Sequence, residues 1–326
     1  MRIVLCYDAT ASHLKAIAAA APGAEIVAVG QDGLAEAILT ADVFCGHAKV
    51  PVPWREVVDR GRLNWIQSSA AGIDHCLVPP VVESDIIVTS ASGLFADSVA
   101  EQTLALLLGL LRGLPVFFRA AQRKEFIRRP TRDLHGACVG IVGFGGNGRR
   151  IAEVLAAFRT RILAIDVFTD DRPPHVEQLL PPERLDEMIP QVDVLIITVP
   201  LTEQTRGMID ATKIARMKRS SLLVNVARGP VVVEVDLVEA LRSGQLSGAG
   251  LDVTEVEPLP PDSPLWLLEN VIITPHVAAQ SSRRNDNVTE LFCENLRRFA
   301  RCEALCNIVD KGLGFPTPAD RQRMFT

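Results

Sequence analysis

Six short apolar runs between residues 137 and 274 each stop at a residue suited to cofactor or substrate chemistry. The run 137–142 meets Gly143-Phe144-Gly145-Gly146-Asn147-Gly148, the run 161–165 stops at Asp166, and 194–197 stops at Thr198-Val199-Pro200. Leu222-Leu-Val-Asn225 leads through Val226 and Ala227 to Arg228, Gly250-Leu251 leads to Asp252, and 271–274 precedes His276. Together these supply glycines for a phosphate, a carboxylate for ribose hydroxyls, a guanidinium for an anion and an imidazole for a proton. Ligands of open α/β sheets bind just beyond the carboxyl ends of the strands, so the spacing predicts that these residues face one crevice.

Gly143, Gly145 and Gly148 spell Gly-x-Gly-x-x-Gly between an expected strand and a helix predicted over 149–158. Such glycines permit a tight turn and let backbone N–H groups, those of Gly146 and Asn147 among them, approach a pyrophosphate whose charge suits a helix N-terminus. A glycine turn that only packs the helix is the alternative. Asp166 favours the dinucleotide, because a carboxylate about 20 residues on, at the next strand end, can bind both ribose hydroxyls and would repel a 2′-phosphate. NAD is therefore expected over NADP, with Arg172 as the nearby charge that argues the other way. Val199, Pro200, Val226 and Ala227 are expected to line the same cofactor crevice.

Behind these residues stands a chain of 326 residues, more than one core usually organises. A net charge of −5 and no long basic run give no electrostatic case for nucleic acid or an anionic membrane. The basic cluster from Arg119 to Arg132 is expected to be solvated surface. Residues 104–111 form the longest strongly apolar stretch, well short of the ~20 residues needed to cross a bilayer, and are expected to be a buried or interface helix. Seven cysteines lack paired ligand spacing, so no metal site and no disulfide frame are expected; Cys302 and Cys306 would share a helix face. The first apolar run reaches Asp8 too soon for a signal peptide, and a cytoplasmic protein is expected.

Expected strands at 2–6, 25–29, 43–45, 65–67 and 86–89 form a second α/β pattern without a phosphate-binding glycine run, which suits a substrate-side domain. A long helix capped by Asp97 or Ser98 would carry the chain into the cofactor domain. After His276, the spacing of Val288, Leu291, Phe292, Leu296 and Phe299 predicts an amphipathic helix, and the apolar piece 307–309 would fold back on the first unit. The expected architecture is α/β: a Rossmann-type doubly wound parallel-sheet cofactor domain, residues 98–282, inserted in a discontinuous flavodoxin-like substrate domain, residues 1–97 and 283–326. Trp54 and Trp266 are expected to pack; Phe95 would line the pocket or the core.

Several motifs in order resemble the D-isomer-specific 2-hydroxyacid dehydrogenase family over nearly the whole chain. They are Ser98-Val-Ala-Glu101, the glycine motif, Asn225-Val-Ala-Arg-Gly229, Gly250-Leu-Asp-Val253 with Glu257-Pro258, and Thr274-Pro-His276. The resemblance implies two domains, NAD(P)-dependent hydride transfer to or from a small 2-keto or 2-hydroxy acid, and a homodimer held through the cofactor domains. By position it makes Arg228 the substrate-binding arginine, His276 the catalytic histidine, Glu257 the acid supporting it and Asp252 an aspartate on the nicotinamide side. It also makes Ala70, Ala71 and Gly72 part of the substrate loop Ala70-Ala-Gly-Ile-Asp74.

Those residue types suit the chemistry. Arg228 can bind a planar carboxylate through its guanidinium fork and polarise the carbonyl, His276 can give a proton to the developing alkoxide, and an anionic Glu257 would favour and orient the imidazolium. Asp252 also has a structural reading as a loop-bonding residue. His47 and His75 are expected to be loop residues near the cleft. Departures at Gln67-Ser-Ser-Ala70 and Val277-Ala-Ala-Gln280 touch the pocket rim and leave phosphoglycerate, glycerate, glyoxylate and bulkier acids unranked. Glutamate at 257, where formate dehydrogenases usually carry glutamine, argues against formate. Phosphite dehydrogenation and an NAD(H)-responsive interaction protein of the corepressor type are the rival readings.

Overall fold

The computed structural model describes residues 1–320. Two compact units form: Met1–Phe95 with the described residues from Ser281 onward, and Ala96–Gln280.

In the first unit β1 (Arg2–Cys6), β2 (Glu25–Ala28), β3 (Val43–Gly46), β4 (Trp65–Ser68) and β5 (Ile87–Thr89) make a parallel sheet in the order β2-β1-β3-β4-β5. This is the flavodoxin-like order. Every residue of β3 and β4 is buried, as expected where crossover helices cover both faces of a parallel sheet. The helix Arg284–Ala300 buries Val288, Leu291, Phe292 and Leu296, the stripe that the 3.6-residue period predicts. Trp65 lies against Phe292 and Phe299 with ring centroids 5.3 and 5.4 Å away. Burial of each such side chain stabilises by roughly 1.5–3 kcal/mol. Beyond the helix the chain does return to the sheet, where Val309 N–H donates to Val88 O at 2.8 Å. Cys302 and Cys306 do not share a helix face: the helix ends at Ala300, the chain turns with Cys302 at φ +55°, and Cys302 is exposed while Cys306 is buried.

The second unit holds a seven-stranded parallel sheet of β6 (Cys138–Val142), β7 (Arg161–Ile165), β8 (Gln178–Leu180), β9 (Val194–Ile197), β10 (Leu222–Asn225), β11 (Gly248–Leu251) and β12 (Val271–Ile273), ordered β12-β11-β10-β9-β6-β7-β8. From β6 the chain proceeds first outward to β7 and β8 and then to the other side, so β6 and β9 flank the topological switch point where a doubly wound sheet opens a crevice. Strand β8 was not anticipated, because three residues are too few to show a period. β11 starts two residues before the expected run, at Gly248 and Ala249, which carry no β-branched signal.

Three expectations need correction in this unit. The long helix spans Ala96–Leu111, so Asp97 and Ser98 lie inside its first turn and do not cap it. The Asp97 carboxylate accepts from Arg150 Nε at 2.6 Å and is a favourable charge at a helix N-terminus. The basic cluster is exposed but not merely solvated: Arg119 donates to the Leu268 and Glu269 carbonyls, and Arg132 to Ser220 O and Ser247 Oγ. Trp266 is half exposed, with Nε1 donating to Pro260 O, whereas Trp54 packs as expected. Residues 104–111 belong to a core helix that buries Leu106, Leu107 and Leu111. Among the described residues, no single helix is long and apolar enough to cross a membrane.

Candidate active site

At the switch point the helix Gly146–Ala156 starts inside the glycine run, with Gly145 as its N-cap, three residues earlier than expected. Gly146, Asn147 and Gly148 thus form the first turn, whose N–H groups lack intrahelical acceptors and suit an anion. A Cβ on Gly148 would lie 2.1 Å from Gly143 O, so any side chain there would push the helix off the turn. Thr198, at the end of β9, fastens the opposite wall by donating through Oγ1 to Gly143 O at 2.6 Å. Asp166 stands at the end of β7 as predicted. Its carboxylate accepts the N–H groups of Phe144 (2.5 Å) and Phe168 (3.0 Å), so it also shapes the glycine turn. The cradle that only glycine permits, the free first-turn donors and the strand-end carboxylate together fit a dinucleotide.

Along the same edge, Arg228 follows β10 on a loop held by Asn225, which is buried. Asn225 Oδ1 accepts Ala227 N–H and its Nδ2 donates to Arg228 O, both at 3.0 Å. Gly229 explains how this loop reaches the next one: a Cβ there would sit 1.8 Å from Thr254 O, so the backbones at 229 and 254 are in contact. Thr254 N–H in turn donates to Glu257 Oε1 at 3.2 Å, and the other carboxylate oxygen lies 2.8 Å from His276 Nδ1. Three separate strand-end segments therefore meet at Arg228, Glu257 and His276.

His276 adopts φ +55°, a left-handed conformation that histidine enters more readily than most residues yet still at a cost. Its N–H donates to Asp252 O (2.8 Å) and Thr274 O (3.0 Å), which hold it there. Asp252 is 1 % exposed. Its Oδ1 accepts Thr274 Oγ1–H and Val277 N–H, and its Oδ2 accepts Ala278 N–H, at 2.6, 3.0 and 2.9 Å. Both carboxylate oxygens thus serve the loop of His276, the loop-bonding role left open for this residue. Gln102 Nε2 completes the chain by donating to Thr274 Oγ1 at 2.9 Å. Gln102, Thr198 and Thr274 were not anticipated as supports; a polar residue inside an apolar helix or at a strand end is too common a signal.

Burial pushes the Glu257 carboxyl upward, but the hydrogen bond and charge of His276, the Thr254 N–H and the Arg228 charge outweigh it and hold the group below its ordinary value. Glu257 is thus an anion at neutral pH and the acceptor for His276 Nδ1–H. Nε2 remains as the imidazole atom able to exchange a proton with a ligand.

In the first unit, Ala70, Ala71 and Gly72 follow β4. Ser69 N–H donates to Gly46 O, Ser69 O accepts from Arg284 Nη2, and Ala70 O accepts Ala91 N–H, each at 3.0 Å. Among the described residues the N–H groups of Ala71 and Gly72 have no acceptor, which leaves two adjacent donors for a ligand. Phe95 is buried and carries the Arg284 guanidinium over its ring at 5.2 Å.

A doubly wound sheet with a glycine turn at its switch point and an Arg, Glu and His cluster on the same edge defines a dinucleotide-binding oxidoreductase domain. Residues 104–278 match the family model for the D-isomer specific 2-hydroxyacid dehydrogenase NAD binding domain. The chain is 34% identical over 281 residues to the glyoxylate reductase of Thermofilum pendens, covering 82% of this chain and 81% of that one. Among solved structures, a D-isomer specific 2-hydroxyacid dehydrogenase family protein from Aeromonas salmonicida matches with TM-score 0.81 and 30% identity over 95% of this chain and 99% of that one. The NADPH-dependent glyoxylate/hydroxypyruvate reductase of Sinorhizobium meliloti, in complex with NADP and sulfate, matches with TM-score 0.81 and 28% identity over 96% and 99%. This chain belongs to the D-isomer specific 2-hydroxyacid dehydrogenase family, whose members are NAD(P)-dependent oxidoreductases.

Proposed function

We propose that this protein reduces a small 2-keto acid to the 2-hydroxy acid, with Arg228, Glu257 and His276 as its catalytic residues and NAD preferred over NADP. The observation that carries this reading is the His276 Nδ1 to Glu257 Oε2 contact of 2.8 Å, within reach of the Arg228 charge. A reduced nicotinamide, when bound, supplies the hydride to the carbonyl carbon. Arg228 binds the substrate carboxylate and polarises the carbonyl oxygen. His276 gives its Nε2 proton to that oxygen as negative charge develops and is left neutral, while Glu257 holds Nδ1–H and keeps the ring aimed. Asp252 serves the nicotinamide side by fixing the 274–278 loop.

Gly143, Gly145, Gly146, Asn147 and Gly148 would take the pyrophosphate, and Val199, Pro200, Val226 and Ala227 would line the cofactor crevice. Asp166 would accept from ribose hydroxyls and repel a 2′-phosphate; that the Sinorhizobium meliloti relative was solved with NADP makes this the finer point to test. Ala71 and Gly72 N–H, with Ala70 setting their direction, would hold the substrate carboxylate. A homodimer paired through the cofactor units is carried over from the family resemblance. The test is a panel of 2-keto acids, glyoxylate and hydroxypyruvate first, with NADH and NADPH, followed by absorbance of the reduced nicotinamide. Turnover of at least one acid with NADH favoured supports the reading; no turnover of any overturns it.

A further inference from the structure

His75 is partly buried at the carboxyl edge of the five-stranded sheet and has no part in the chemistry above. Its Nδ1 accepts Ala48 N–H at 3.4 Å, and its Nε2 lies 3.0 Å from Ser68 Oγ. A neutral imidazole has one donor and one acceptor nitrogen, so acceptance at Nδ1 assigns the proton to Nε2 and makes His75 the donor to Ser68. Ser68 Oγ also donates to Ala70 O at 3.0 Å and accepts Ala70 N–H at 3.1 Å. Its one proton and two lone pairs are all engaged.

The contact between residues 68 and 75 closes the loop into a ring, and the successive N–H groups of Ala71, Gly72 and Ile73, which have no acceptor among the described residues, lie in its bend; the first two are those assigned to the substrate. The ring is braced from β3. The His47 imidazole lies 4.1 Å from that of His75 between ring centroids, and Gln31 Nε2 donates to His47 O at 2.9 Å while its Oε1 accepts Lys49 N–H at 2.7 Å. Polar backbone groups of Ser69 and Ala70 are thus all partnered, and the loop has little freedom to turn its remaining donors away.

We infer that His75 is a positioning residue for the substrate: through Ser68 Oγ it sets the backbone of Ala70 and so aims the Ala71 and Gly72 N–H groups at the substrate carboxylate. This rests on the assignment of that loop to substrate binding. His75 touches no reacting atom, so its loss should weaken binding more than chemistry.

The experiment compares His75→Phe, which keeps a ring of similar volume without the donor, with His75→Gln, whose amide can still donate to Ser68. Steady-state reduction of the best acid in the panel and amide hydrogen exchange of residues 70–72 are measured on each. His75→Phe should raise KM about tenfold, the scale of one lost hydrogen bond in an organised site, with kcat changed by less than about threefold. Exchange at Ala70 should quicken, and His75→Gln should recover most of both effects. Ser68→Ala combined with His75→Phe should cost no more than Ser68→Ala alone, because His75 acts only through the Ser68 hydroxyl. Unchanged exchange and KM in His75→Phe overturn the inference, as does faster exchange with KM unmoved, since the loop would then not serve the substrate. A parent protein that reduces no 2-keto acid overturns the functional reading, and the exchange arm still decides whether His75 holds the loop.

Discussion

The seven-stranded sheet places its candidate chemistry in side chains at the strand ends, Arg228, Glu257 and His276, whereas the five-stranded sheet offers two backbone N–H groups, those of Ala71 and Gly72. Both edges follow the same rule of parallel sheets. The difference lies in what supports the donors. Around His276 a buried carboxylate, Asp252, collects three donors of one loop and holds a strained backbone in place. Around Ala71 a neutral hydroxyl, Ser68, does the comparable work through His75. Side-chain chemistry at one edge should therefore govern turnover, and backbone chemistry at the other should govern binding.

The sharpest way to break this contrast is His276→Asn, which removes the Nε2 proton donor while leaving a small polar side chain. General acid catalysis by a positioned group is worth about 10²–10⁴-fold, so kcat for keto-acid reduction should fall by that range. A kcat loss no larger than that of His75→Phe would erase the distinction. Next in size is Gly229→Ala. With Thr254 O 1.8 Å from the added carbon, the loops of Arg228 and Glu257 must separate, and misplacement on the scale of 1 Å can cost about 10²-fold in kcat/KM. The same overpacking should destabilise by about 1–3 kcal/mol, visible as a lower Tm. Wild-type kinetics and Tm in this variant would mean that the contact does not align the two loops.

Smaller still is the effect expected of Asp166→Ser, which leaves both loops intact. Removing the charge should reduce the NADH over NADPH preference in kcat/KM by about tenfold, the scale of one charge-assisted hydrogen bond to the ribose. Because Asp166 also accepts Phe144 N–H, some loss with both cofactors is expected; the ratio, not the absolute rate, reports the ribose contact. An unchanged ratio would assign Asp166 to the glycine turn alone.

How far these features could be read from sequence follows the same contrast. Apolar β-branched runs ending in Arg, Asp or His are unusual enough to mark strand ends, and β7, β9 and β10 run over the residues anticipated for them. The glycine run was legible for its spacing, although the helix begins within it, because Gly is a poor helix former whose place in a first turn carries no propensity signal. Asp252 was legible as a strand-end acid but not as the hub of the His276 loop, since its three partners come from residues 274–278, over twenty positions on. The loop of Ala71 and Gly72 was legible only through the family resemblance: their side chains say nothing, and the structure adds that the backbone groups of Ser69 and Ala70 are partnered while the N–H groups of Ala71 and Gly72 are not.

The central claim is that His276 delivers the proton under the hold of an anionic Glu257, and the pH dependence of kcat/KM for keto-acid reduction in Glu257→Gln tests it most directly. Glu257 is held below its ordinary value of 4.5 in the folded protein, so its part of the pairing is complete above that value and is lost only as pH falls through the lower folded value. Replacing it with a neutral amide removes the anionic acceptor of His276 Nδ1–H, so kcat/KM in Glu257→Gln should lie below the parent at neutral pH, with the gap closing only at acid pH where Glu257 of the parent becomes protonated. Superimposable profiles for the two proteins would contradict the claim and remove Glu257 from the proton path.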